Sequence, residues 1–219
     1  LPFKPNRLTL PRRSIIAAAT GLASAAALGK YGRAQISPED LPDAGAALDQ
    51  FAPQAAPRLA FTNADGKPLS LKNFAGHGLV VNVWATWCGP CVAELPSFAA
   101  AAPALRKDKI LVLPISVDMD GAQAVQPFYA SHGITTLPML LDADGNALDA
   151  LNAPGIPVTL IINAAGQLVA RLDGAANWNT PGTLKIIRQL AGPPAGAPKS
   201  AGGVLPVSGQ WSVVGRQGT

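Results

Sequence analysis

Residues 84–91 read Trp84-Ala85-Thr86-Trp87-Cys88-Gly89-Pro90-Cys91, and Cys88 and Cys91 are the only cysteines among 219 residues. The run leading into them, Leu79-Val80-Val81-Asn82-Val83-Trp84-Ala85, is apolar, rich in β-branched residues and free of charge. It predicts a buried central strand. A turn follows, then a helix starting near Cys88. A thiol at a helix N-terminus faces unpaired backbone N–H groups and the positive end of the dipole, and both favour thiolate over thiol. In Cys-x-x-Cys sites the thiol pKa falls from about 8.5 to roughly 3.5–7.5, which makes the sulfur nucleophilic near neutral pH. Cys91 lies one helical turn on, placed to attack a mixed disulfide formed at Cys88 and release its partner. Pro90 suits the first helical turn, where its missing N–H is not needed.

Other uses of two cysteines fit poorly. A purely structural disulfide would close a very small loop and stabilise little. A zinc site needs four ligands, and only His77 and His132 are available to supplement the thiols, neither at ligand-like spacing. Covalent haem attachment needs His after the second Cys, where this chain has Val92.

The motif and its surroundings resemble the thioredoxin superfamily, and within it the exported TlpA/ResA-like thiol-disulfide oxidoreductases, over roughly residues 56–191. The resemblance implies an α/β fold: a thioredoxin-like three-layer sandwich with a central mixed β-sheet flanked by helices, an N-terminal β-hairpin and a central insertion. It also identifies a second constellation. Gly155-Ile156-Pro157-Val158-Thr159 matches the cis-proline loop that opposes the active cysteines in that superfamily. Alone, Pro157 would read as an ordinary strand-starting proline; about 70 residues after Cys-Gly-Pro-Cys it reads as cis. Glu94, three residues after Cys91, falls on the same helical face. The resemblance places a partly buried glutamate there, with a raised pKa and the proton of Cys91 to shuttle. Thioredoxin carries its buried aspartate on the preceding strand, where this chain has Asn82, which cannot titrate. Pro96 matches a helix-kinking proline. The expected site is therefore Cys88, Cys91 and Glu94 as reacting groups, with Trp87, Gly89, Pro90, Ile156 and Pro157 contacting the substrate. Trp84 is expected in the core. The element Gly174-Ala175-Ala176-Asn177-Trp178 reads as structural, and His77 and His132 as surface or capping residues.

The chain carries 17 Lys+Arg against 13 Asp+Glu, a net charge of +4. Six of those bases (Lys4, Arg7, Arg12, Arg13, Lys30 and Arg33) fall in residues 1–34, which contain no acid; the remainder is net −2. The basic balance thus belongs to the leader and does not indicate a nucleic-acid binder. The leader has a basic start, an apolar stretch from Ile15 to Leu28 and a small-x-small site at Gly32-Arg33-Ala34, the pattern of a signal peptide. The stretch is shorter than the ~20 residues of a membrane-spanning helix. Arg12-Arg13 partly resembles a twin-arginine export signal; an ordinary secretory route, or retention as a membrane anchor, fits nearly as well. Residues 35–57 read as a linker with at most a short helix near 44–51, 58–192 as the thioredoxin-like domain, and 193–219 as a disordered Pro/Gly-rich tail.

Within the domain, Arg58–Asn63 and Lys67–Leu71 flank the turn signal Asp65-Gly66 and predict a hairpin. Strands are predicted at 110–117, 139–141, 158–163 and 167–173, and helices at 121–132 and 180–190. The expected activity is that of an exported, periplasmic or membrane-anchored reductant, since the Gly-Pro dipeptide resembles that of reducing thioredoxins. The resemblance implies no cofactor, disulfide-bearing exported clients, a membrane electron donor of the DsbD/CcdA type and a monomer. Apocytochrome c or copper-delivery proteins are the implied clients, although the cytochrome-dedicated relatives carry Gly-Ala-Pro-Glu where this chain has Gly155-Ile156-Pro157-Val158. Two alternatives stand beside it. A thioredoxin-like peroxidase is disfavoured because Thr86-Trp87-Cys88 does not fit the peroxidatic pattern. A Cu(I)-binding assembly factor of the Sco-like kind would space its cysteines by three residues rather than two.

Overall fold

The computed structural model describes residues 36–192. The expected leader and the Pro/Gly-rich tail lie outside the described residues. Eight strands form one mixed sheet: β1 (Asp49–Ala55), β2 (Ala60–Asn63), β3 (Pro68–Ser70), β4 (Gly78–Trp84), β5 (Ile110–Ser116), β6 (Leu140–Leu141), β7 (Val158–Ile162) and β8 (Gln167–Asp173). Their order across the sheet is β1-β8-β7-β4-β5-β6-β2-β3. The helices are α1 (Ala44–Ala47), α2 (Gly89–Lys107), α3 (Ala122–Ser131), α4 (Asn146–Ala150) and α5 (Pro181–Ala191). This is the expected thioredoxin-like sandwich, with helices flanking the sheet.

β4 is buried at every position, as its uncharged β-branched sequence requires of a central strand. It runs parallel to β5 and antiparallel to β7. That pairing brings two distant segments to one pole of the sheet. The C-terminal end of β4 delivers the cysteine motif, and the start of β7 delivers Pro157, with Val83 registered against Val158. The other end of β4 is closed by α5. A Cβ on Gly78 would lie 2.3 Å from the Ala191 carbonyl oxygen, so only glycine lets helix and strand approach this closely.

α2 buries Leu95, Phe98 and Leu105 at 1% exposure or less. Each such side chain contributes about 1.5–3 kcal/mol relative to an exposed one. Trp84 is fully buried, as expected, against Phe128 and Tyr129 of α3. The 60–70 hairpin forms as its Asp65-Gly66 turn predicts, with Gly66 at φ 76°. Among the described residues no helix is long and apolar enough to cross a membrane.

The stretch 35–57, expected to be a linker, is ordered structure over most of its length. It carries a 3-10 turn at Pro38–Asp40, the short helix α1, and β1, which pairs antiparallel with β8. β1 buries little of its own surface. It therefore lacks the apolar alternation by which a strand is recognised, and backbone pairing places it instead. Pro53 sits where the register between Gln50 and Gln54 shifts, as prolines in edge strands do.

Candidate active site

Cys88 and Cys91 are joined as a disulfide with an S–S distance of 2.10 Å. Cys88 is the N-cap of α2, and its Sγ accepts the Cys91 N–H at 3.3 Å. This is the helix-terminus environment that lowers a thiol's pKa. The two sulfurs are unequally placed. Cys88 retains 6% exposure and Cys91 none, so an incoming disulfide meets Cys88 first.

The Ile156–Pro157 peptide bond is cis, as expected. The Ile156 carbonyl oxygen lies 3.8 Å from Cys88 Sγ. Around Cys88 stand exposed Trp87, Gly89 and Pro90 and half-buried Ile156, while Pro157 is buried. Trp87 is 70% exposed. It stands free of the core, beside the outer sulfur.

Two further residues shape this face without having been anticipated. Asp118, at 3% exposure, accepts the Thr86 N–H at 3.0 Å and the Thr86 hydroxyl at 2.7 Å. It also accepts from the Ser116 hydroxyl at 2.7 Å. The loop bearing Trp87 is thereby tied to the loop after β5, which presents Met119 at 88% exposure. The sequence held one clue to Met119, an apolar residue set between Asp118 and Asp120 in an otherwise polar turn.

Glu94 lies one turn beyond Cys91 and is fully buried, deeper than the partly buried position expected. Its carboxyl accepts Asn82 Nδ2 at 2.9 Å, the Ala176 N–H at 3.2 Å and Trp178 Nε1 at 3.0 Å. Burial pushes its pKa up to about 7, against the partial opposition of these three donors, Trp178 foremost. The Gly174–Trp178 element, expected to be merely structural, thus supplies two of the three bonds. It is held in turn from two sides. The Trp178 N–H donates to Ser97 Oγ at 3.0 Å, and that hydroxyl donates to the Glu94 carbonyl. Asn177 pairs with the backbone of Pro42 and Ala44. Asp43, which caps α1, accepts from the hydroxyls of Thr180 and Thr183 at the start of α5.

A carboxyl whose folded pKa lies above its unfolded value favours the fold while protonated. Stability should therefore be full below about pH 4.5 on Glu94's account and decline as pH rises through about 7. The expected loss is on the order of 3 kcal/mol. Urea midpoints at pH 5 and pH 8 should separate in the natural protein and converge in Glu94→Gln; equal separation in both proteins would contradict this assignment.

His132, at the end of α3, stacks on Phe128 and directs Nδ1 to the Phe128 carbonyl at 2.9 Å, a capping arrangement. His77 is partly buried in the turn before β4, and its Nδ1 lacks a partner.

A two-cysteine disulfide at the N-terminus of a helix, opposed by a cis-proline on a mixed sheet, defines a thioredoxin-like redox protein. The chain belongs to the AhpC/TSA family, whose sequence profile matches residues 52–171. Among individual proteins, it resembles the thiol-disulfide oxidoreductase ResA of Bacillus subtilis, with 31% identity over 119 residues. That match covers 54% of this chain and 65% of the relative, just under two thirds of its length. The protein of the same name from Geobacillus kaustophilus is 29% identical over 119 residues, 54% of this chain and 67% of the relative. Among solved structures, a thiol:disulfide interchange protein of the thioredoxin family from Chlorobium tepidum aligns with a TM-score of 0.52 at 22% identity, covering 65% of this chain and 99% of that one. A DsbF homologue from Corynebacterium diphtheriae gives a TM-score of 0.54 at 19% identity, covering 66% and 93%. At these identities the structural likeness is one of fold.

Proposed function

We propose that this protein is a thiol-disulfide oxidoreductase that reduces disulfides in exported client proteins. The observation that carries the reading is the unequal burial of two sulfurs at the N-terminus of α2, with the backbone of a cis-proline loop beside the outer one. In the reduced enzyme the Cys88 thiolate attacks one sulfur of a client disulfide. The client S–S bond breaks, a mixed disulfide forms, and one client sulfur leaves as thiolate. Cys91 then gives its proton to the Glu94 carboxylate and attacks Cys88 Sγ. The mixed disulfide breaks, the second client sulfur leaves, and the Cys88–Cys91 disulfide forms. Two electrons have passed to the client, and a membrane donor of the DsbD/CcdA type returns them.

An extended client segment fits beside Ile156, whose backbone N–H and C=O take no part in backbone hydrogen bonds among the described residues. Trp87, Gly89 and Pro90 form the remaining contact. The names of the relatives support the oxidoreductase reading, and the signal-like leader supports export. Maturation of cytochrome c or of an oxidase copper site is the client role favoured by the resemblance.

The deciding experiment is the reduction potential of the Cys88–Cys91 couple, equilibrated against glutathione or dithiothreitol. A value near or below about −220 mV is expected of a reductant. A value near about −120 mV would make it an oxidant and overturn the direction. Consumption of hydrogen peroxide at turnover rates would replace the reading with a peroxidase.

A further inference from the structure

Asn82 is fully buried in the middle of β4, registered directly against Thr159 of β7. Both hydrogens of its amide are committed. Nδ2 donates to Glu94 Oε1 at 2.9 Å and to Thr159 Oγ1 at 3.0 Å. Its Oδ1 is buried and receives no donor. This arrangement matches a Glu94 carboxylate, which is an acceptor only.

It does not match the carboxylic acid. Glu94 Oε1 faces the Asn82 amide hydrogen, and Oε2 faces the Ala176 N–H and the Trp178 indole N–H. A proton on either oxygen would be directed at another donor, and the acid would be left with nothing to accept its hydrogen. One of these partners can change role. Turning the Asn82 amide by half a revolution exchanges Nδ2 for Oδ1. The oxygen then lies within reach of both Glu94 Oε1 and Thr159 Oγ1, and its two lone pairs accept the acid O–H and the threonine O–H together. The backbone N–H of Ala176 and the indole of Trp178 have no such freedom. In each orientation one end of the amide is left without a partner, Oδ1 in one and Nδ2 in the other. The choice between them is therefore left to the proton on Glu94.

We propose that Asn82 is the positioning residue for the Glu94 proton, its amide donating to Glu94 and Thr159 when Glu94 is ionised and turning over to accept from both when Glu94 is protonated. Asn82 thereby allows a buried carboxyl to hold hydrogen bonds in both of its states. The role in exchange rests on the reading above, in which Glu94 takes the proton of Cys91.

Among the described residues no charged group is among the causes acting on Glu94. From the segment packed against α2 and α5 the acids are Glu39 and Asp40, which accept from Ser37, and Asp43, which accepts from Thr180 and Thr183. β4, β7 and the Gly174–Trp178 element contain no ionisable side chain. On α2 the near titratable group is Cys91. From β8, Arg171 and Asp173 are paired with each other, and from α5, Arg188 is paired with Asp108, leaving Lys185 as the other charge on that helix. The raised pKa of Glu94 has burial as its leading cause, with these hydrogen bonds and no charge among the opposing ones.

The test is a pH titration of the oxidised full chain by NMR, following the Glu94 carboxyl carbon and the Asn82 side-chain NH2 group. In the natural protein the Asn82 NH2 resonances should shift with the same midpoint as the Glu94 carboxyl. In Asn82→Leu, which keeps the branched shape and removes the amide, the Glu94 midpoint should rise by roughly one pH unit, because the charged form loses the stronger bond. NH2 resonances that stay constant through the Glu94 titration would overturn the proposal, and this measurement needs no variant to fold. An unmoved midpoint in a folded Asn82→Leu would overturn it equally. The pH profile of disulfide exchange separates the two readings. If Glu94→Gln leaves that profile unchanged, the proton role of Glu94 in exchange falls, while the carboxyl titration still decides the role of Asn82.

Discussion

Replacing Cys88 with serine is expected to abolish disulfide exchange, with a loss of at least about a thousandfold, because the one thiol that remains, Cys91, is fully buried and cannot make the first attack. Cys91→Ala should behave differently. It leaves the outer sulfur at the α2 N-terminus, so the first step survives, and the buried sulfur that completes the reaction is missing. The variant should therefore accumulate a covalent adduct with its client, visible as a higher-mass band that dithiothreitol dissolves. Mass spectrometry of that adduct would identify the client. Were Cys88→Ala to accumulate the adduct and Cys91→Ala to remain bare, the order of the two sulfurs would be reversed, and the exposure difference between them would have misled.

Trp178→Ala should produce the largest loss of stability. The side chain is fully buried, stacks on Phe98 with ring centroids 4.7 Å apart, and bonds Glu94 through its indole N–H. Removing a buried tryptophan costs about 3–5 kcal/mol through lost contacts and the cavity left behind. For a domain of this size that lowers Tm by roughly 10 °C. Trp178→Phe separates packing from hydrogen bonding. It keeps an aromatic ring against Phe98, so most of the stability should return. It lacks the donor that chiefly opposes the rise in the Glu94 pKa, so the pH at which stability declines should move upward. A Trp178→Phe protein with an unshifted decline would show that the indole N–H does not hold the carboxylate.

The parts of the molecule legible in the sequence are those whose physics is local. β4 announces itself by an uninterrupted apolar run, the 60–70 hairpin by Asp65-Gly66, and α2 by Pro90 and the helix that follows. The cis bond at Pro157 was legible only through its pairing with the cysteine motif. Residues that act across the chain were not. Trp178 bonds Glu94 from 84 positions away, and no periodicity links them. Asn82 was read as the place where a titrating group is missing; its bonds to Glu94 and Thr159 depend on the register of β4 with β7. β1 escaped notice because a strand that is exposed on most of its surface leaves no hydrophobic signature.

That inconspicuous strand determines where the protein can safely be cut. With β1 in place, the sheet ends on a segment whose ladder is interrupted around Pro53 and whose side chains include Asp49, Gln50 and Gln54. Such a border offers a poor template to a neighbouring molecule. A chain trimmed to begin at residue 58, the boundary suggested by composition, would instead present β8 along its whole length. Open strand edges recruit further strands, so the shortened protein should associate and precipitate, and it also loses the Pro42–Ala44 segment that holds Asn177 and the start of α5.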